Sequence, residues 1–179
     1  MFNLQQRRKG VDEDRQYINN RVAVRDKLLS REFKEIEDTV HNLPCSTINF
    51  PNPTVLYDMV LTVKPNSGMY RNGVFKFSIV VPPEYNNAPP VVKCLTRIWH
   101  PNINEDGAVC LSLLRQNSLD GMGWMPTRGI KDVIIGLDNL FGDLMDFDDP
   151  LNNEAAEMYN SNKDLFSRRV AEYISKYCR

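Results

Sequence analysis

The chain has 179 residues, of which 42% are hydrophobic and 25% charged, and its formal net charge is −1. Such a chain forms one globular domain that buries about 70% of its unfolded surface and needs neither disulfide nor metal to fold. The same values exclude a disordered chain and a general nucleic-acid binder, which needs a basic surplus, and no apolar run approaches the ~20 residues that span a membrane.

Residues 1–20 are poor in apolar side chains and carry Arg7, Arg8 and Lys9 followed by Asp12, Glu13 and Asp14. They read as a flexible N-terminal arm ahead of a core domain at 21–179. Phe2 and Leu4 nevertheless sit at its tip, alternating with polar residues, so an extended chain presents both to one side. MFNLQQRRKG lacks the apolar stretch of a secretory signal, and a cytoplasmic and nuclear location is expected.

From Arg21 the spacing of Val24, Leu28, Phe33, Ile36 and Val40 predicts an amphipathic helix over 22–40, with Arg25, Lys27, Arg31 and Lys34 on its polar face. TINF, LYDMVLTVK, VFKFSIVV and VVKCLT then read as four strands separated by Gly-, Pro- and Asn-rich turns. Short links favour an antiparallel meander, because parallel neighbours need long crossovers. Periodicity vanishes between Trp99 and Thr127, and a long irregular stretch inside a compact domain tends to carry function. Thr127 then reads as the N-cap of a helix whose stripe is Ile130, Val133, Ile134, Leu137, Leu140, Phe141 and Leu144. A short helix follows Pro150, and a last one runs from about Lys163 to Tyr177. The order is α+β: a four-stranded antiparallel meander packed with about four helices.

The four cysteines, Cys45, Cys94, Cys110 and Cys178, form no C-x-x-C pair, and the histidines are His41 and His100. Free thiols are expected, with no structural zinc or other metal. The irregular stretch contains IWHPNINEDGAVCLSLL. Residue types alone leave three readings open there. Cys110 is a nucleophile with His100 as its base, as in cysteine hydrolases; or it is an acyl carrier with Asn102 as an amide donor to an oxyanion; or it is a buried thiol that packs like a small hydrophobe.

His100-Pro101-Asn102, the seven-residue gap to Cys110-Leu111, the preceding PPVVK, and the following Trp124-x-Pro126 and Asp148-Asp149-Pro150-Leu151 together resemble the ubiquitin-conjugating enzyme family over about Arg25 to Tyr177. KCLTRIWHPNI, CLSLLR and the MFNL-type arm resemble its Nedd (Rub) branch most closely, and the spacer RQNSLDGMG resembles the F-type metazoan group. The resemblance implies that Cys110 takes a Nedd-class modifier as a thioester from a heterodimeric activating enzyme and passes it to lysine on target proteins, with cullins as expected substrates and a RING-type cullin ligase as partner. It implies an oxyanion role for Asn102, a structural role for His100, and an acidic residue facing the thioester, for which Asp143 and Asp146 are candidates. LFGDLMDFDDPL departs there from the usual Pro-Asn-Pro. The resemblance places the activating enzyme on the arm, through Phe2 and Leu4, and the ligase on Arg25–Lys34 (Arg25, Lys27 and Lys34), on the loop carrying Asn87 and on Met125-Pro126. No cofactor is implied, ATP being consumed by the activating enzyme upstream; nucleic acid and membrane are not expected partners, and a monomer is expected. The alternatives are a ubiquitin-conjugating enzyme and a non-catalytic scaffold that binds modifier or ligase.

Overall fold

A computed structural model describes residues 4–118 and 121–178. In chain order it contains α1 (Leu4–His41), strands β1 (Ser46–Asn49), β2 (Asp58–Val63), β3 (Phe75–Val80) and β4 (Val91–Cys94), a single 3-10 turn (Ser112–Leu114), and helices α2 (Ile130–Asn139), α3 (Asn153–Ser161) and α4 (Lys163–Tyr177). The strands form one antiparallel sheet in the order β1-β2-β3-β4, the meander expected from the short links. Register pairs Leu61 with Phe77 and Phe77 with Cys94. Alternation along β2 and β3 therefore sends Met59, Leu61, Val63, Phe75, Phe77 and Ile79 inward, all of them buried.

Against that face lie Leu29 and Ile36 of α1 and Ile130, Val133, Ile134 and Leu137 of α2. Phe75 and Phe141 stack at 4.5 Å between ring centroids, and Tyr70 meets Phe141 edge-on at 5.4 Å. Each fully buried ring of this kind stabilises the domain by about 2–3 kcal/mol. Val74 N–H donates to the carbonyl of Cys178 at 2.7 Å, which ties the end of α4 to the sheet.

Two expectations about helices need correction. The chain is helical from Leu4, not from residue 22, so the stretch read as a flexible arm continues α1. Its Gln, Arg, Lys and Glu residues favour helix and no proline interrupts them, while Gly10 is the one weak point. Residues 11–20 are all exposed; burying nothing, they carry no apolar stripe for the eye to find. Phe2 lies outside the described residues. The second correction concerns α2, whose N-cap is Gly129 rather than Thr127. Gly129 N–H donates to Asp132 Oδ2 at 2.8 Å, and Ile130 N–H donates to Glu32 Oε2 on α1 at 3.0 Å. A cap supplied by a distant helix cannot be read from local sequence.

Candidate active site

The stretch without periodicity is ordered by a tight turn. Asn104 N–H donates to the Ala108 carbonyl and Gly107 N–H to the Asn104 carbonyl, both at 3.1 Å, and the Asn104 side chain accepts from Ala108 N–H at 2.8 Å. Gly107 has φ +82, and a Cβ there would lie 2.2 Å from the Cys94 carbonyl oxygen, so only glycine fits. Ile103, fully buried, plugs this turn into the core. Across it, Cys110 N–H donates to the Asn102 carbonyl at 2.8 Å. The seven-residue gap is the length of chain that folds back and sets Asn102 opposite Cys110.

Cys110 is half-buried, in a groove it shares with Asn102, Leu111, Ser112, Arg115, Leu144 and Asp146. The Asn102 side chain is buried and uses both ends on one partner: Nδ2–H donates to the Asp146 carbonyl at 2.7 Å, and Oδ1 accepts from Asp146 N–H at 2.9 Å. The loop after α2 is thereby fastened beside the cysteine. Leu151 N–H and Asn152 N–H add two bonds to the Pro101 carbonyl, both 2.9 Å, and Phe147 stacks on Tyr159 at 3.9 Å. That stack packs the same loop against α3. Nδ2 retains a second hydrogen, so holding the loop and donating towards an oxyanion are compatible roles for Asn102.

Of the two candidate acids, only Asp146 reaches the groove. Its carboxylate accepts from Asp148 N–H at 2.8 Å and Asp149 N–H at 3.4 Å, shaping its own turn. Asp143 lines a different cavity, with Cys45, Asn66, Ser67 and Asp138. Sequence reasoning missed Arg115, whose guanidinium pairs with Asp149 at 3.1 Å at the groove margin, and Leu144, which was assigned to the α2 stripe but is exposed at the groove. Leu144 lies beyond the last turn of α2, where helical spacing no longer applies.

His100 is not a general base. It is fully buried, between Tyr70 at 5.2 Å and Phe141 at 5.9 Å. Its Nδ1 accepts from Asn102 N–H at 3.0 Å, which leaves Nε2–H to donate to the Leu140 carbonyl at 2.9 Å. Both ring nitrogens are occupied. Burial also pushes the imidazole down from its ordinary 6.5 to about 4. The unfolded chain therefore binds this proton at a higher pH than the folded one, and stability rises with pH across that window. The contribution is complete above about pH 6.5 and is lost as pH falls towards 4, the loss by then amounting to about 3 kcal/mol. Urea midpoints of the native protein should drop accordingly between pH 7 and 4.5, and those of His100→Gln should change less. Equal slopes would mean that the ring is not held neutral.

The other thiols are set apart from this chemistry. Cys94 and Cys178 are buried, and burial pushes each up to about 11. Cys45 is half-buried beside Asp143. Among the described residues no group of three His, Cys, Asp or Glu side chains is disposed to hold a metal.

The residues assigned to docking fall into three places. Arg25 is not on an exposed face: it is 6% exposed, donates to the Val81 carbonyl and Asp26, and lies 4.1 Å from the centroid of the Tyr57 ring. A long side chain on a helix margin can fold over an aromatic ring, which spacing alone does not show. Lys27 and Lys34 are exposed on α1. Asn87, Met125 and Pro126 are exposed on two loops that Asn86 joins, through Nδ2–H to the Pro126 carbonyl at 2.7 Å and through its own carbonyl, which accepts from Trp124 Nε1–H at 2.8 Å. Leu4 is the first residue of α1.

An antiparallel meander backed by helices, with a half-buried cysteine beside an asparagine that locks a flanking loop and the neighbouring His100 buried with both ring nitrogens occupied, fits an acyl-carrying enzyme rather than a hydrolase. The chain belongs to the ubiquitin-conjugating enzyme family, whose model it matches over residues 29–174. It is 55% identical to the NEDD8-conjugating enzyme ubc-12 of Caenorhabditis elegans over 180 residues, covering 99% of this chain and 100% of that protein. It is 56% identical to the NEDD8-conjugating enzyme UBE2F of Gallus gallus and 54% to that of Homo sapiens, each over 160 residues, 89% of this chain and 85% of the relative.

Proposed function

We propose that this chain conjugates a Nedd-class ubiquitin-like modifier. Identity of 54–56% to NEDD8-conjugating enzymes, over 85–100% of their lengths, carries this reading. The Cys110 thiolate attacks the modifier's C-terminal glycyl thioester on the activating enzyme, forming a new S–acyl bond as the activating enzyme's thiolate leaves. A lysine amine then attacks that acyl carbon, the oxyanion forms beside Asn102, and the Cys110 thiolate departs as the amine's proton passes to solvent. ATP enters upstream, at the activating enzyme. Cullins are the proposed acceptors, a RING-type ligase the proposed partner, and cytoplasm and nucleus the proposed location.

The deciding experiment charges purified protein with ATP and each activating enzyme in turn, read on a nonreducing gel. A thiol-labile adduct with the Nedd-class modifier, and much less with ubiquitin, is the expected result. Equal charging by the ubiquitin-activating enzyme would refute the modifier choice and leave the enzyme class intact.

The arm supplies a second hold on the activating enzyme in this reading. Phe2 and Leu4 at its tip offer about 3–5 kcal/mol of apolar burial before ordering costs, and attachment to the domain makes the contact effectively intramolecular. Deleting residues 1–20, or changing Phe2 and Leu4 to Ala, should raise the apparent KM for charging about ten- to a hundredfold. Because residues 11–20 are exposed, the melting midpoint of the domain should barely move. Wild-type charging by the truncated protein at subsaturating activating enzyme would remove the arm from the mechanism.

A further inference from the structure

Helix α2 joins two hydrogen-bonded ends that the chemistry above does not connect. At its start, Gly129 has no side chain to cap the first turn, and the Glu32 carboxylate of α1 accepts from Ile130 N–H at 3.0 Å. The same carboxylate accepts from the Tyr85 hydroxyl at 2.7 and 2.8 Å, on the loop that Asn86 fastens to Trp124 and Pro126. A Cβ at Gly129 would meet Glu32 Oε2 at 3.0 Å, so glycine leaves the room that this cap needs. An acidic group at a helix N-terminus also complements the helix dipole. At the far end, the carbonyl of the C-cap residue Leu140 accepts Nε2–H of His100, whose Nδ1 accepts Asn102 N–H.

Between these ends lie ten residues, about 15 Å of helix, with Ile130, Val133, Ile134 and Leu137 all fully buried. A close-packed rod of this kind moves as a unit, so a displacement at one end arrives at the other. We propose that Glu32 is a positioning residue for acyl transfer: its carboxylate sets the axial position of α2 and, through the Leu140 carbonyl and the His100 ring, the placement of the Asn102 loop beside Cys110. Glu32 does not line the cysteine groove and acts only through α2. The inference rests on the conjugating-enzyme reading for its kinetic half alone.

The chain contains two histidines, His41 exposed and His100 buried, so nitrogen-15 histidine labelling gives an NMR spectrum in which the His100 Nε2–H proton stands by itself. Glu32→Ala should shift that proton. In protein charged beforehand, it should slow single-turnover discharge to free lysine about five- to tenfold, the size of one lost hydrogen bond, at unchanged half-saturating lysine. Glu32→Gln keeps a carbonyl acceptor for Ile130 N–H and should restore both readouts. Glu32→Asp, one methylene shorter, serves if the alanine variant does not fold, and should give a smaller change of the same sign. An unmoved His100 proton in Glu32→Ala or Glu32→Asp would overturn the inference, as would a slowed discharge that Glu32→Gln fails to rescue. The ring proton is read without any modifier, so failure of the proposed function and failure of this inference are separable.

Discussion

Cys110→Ala is expected to abolish the thioester outright, and Cys110→Lys to replace the thiol-labile adduct with one that survives reducing agent. The physical reason is the leaving group. A thiolate is displaced readily from an acyl carbon by another thiol or by an amine, whereas the amide formed with a lysine side chain is not. The structure makes the expectation specific to one of four thiols. Cys94 and Cys178 are buried with their thiols pushed up to about 11, and Cys45 lines another cavity. Changing those three to Ala or Ser together should leave the adduct in place. Mass mapping of the adduct to Cys45, or its persistence in Cys110→Ala, would refute the assignment.

Asn102→Ala is expected to slow discharge to lysine by about a hundredfold, the usual size for one lost oxyanion donor. It should also lower the melting midpoint, because the Asp146 N–H and carbonyl both lose their partner. Two such losses in a part-buried loop cost about 2–3 kcal/mol, or roughly 5–10 °C for a chain of this size. Charging, with the reacting groups aligned by the activating enzyme, should be reduced far less than discharge. The two contributions separate on comparison with Asp146→Ala, which leaves the backbone bonds to Asn102 intact. Unchanged discharge in Asn102→Ala at matched folding would remove the oxyanion role. A parallel fall in charging and discharge, scaling with lost stability, would reduce Asn102 to a fastener of the loop.

Much of the fold was legible because its elements are defined by local periodicity. β2 and β3 alternate inward and outward residues, and α2 and α4 carry stripes that spacing alone picks out, since each buries one face against the core. The HPN-to-cysteine spacing was legible for a similar reason. Asn102 and Cys110 face each other across one short turn, so their relation is written in nine consecutive residues. Helicity before residue 21 was not legible, because a helix that buries nothing leaves no period behind.

What only the tertiary structure decided are relations between residues distant along the chain. Whether His100 is base or buried strut depended on Leu140, Tyr70 and Phe141, which close around the ring from other elements. The choice between Asp143 and Asp146 depended on which side of one loop each faces, set by the Asn102 bonds across 44 residues. Arg25 left the docking face because Val81 and Tyr57 fold against it. The sequence by itself determined the sheet order and the core, since neighbours in the chain encode them through spacing, whereas the role of Cys110 rests on the resemblance that the motifs around it carry. Protonation state, loop anchorage and surface exposure were settled by packing, because each is a property of the partners that folding brings alongside a residue.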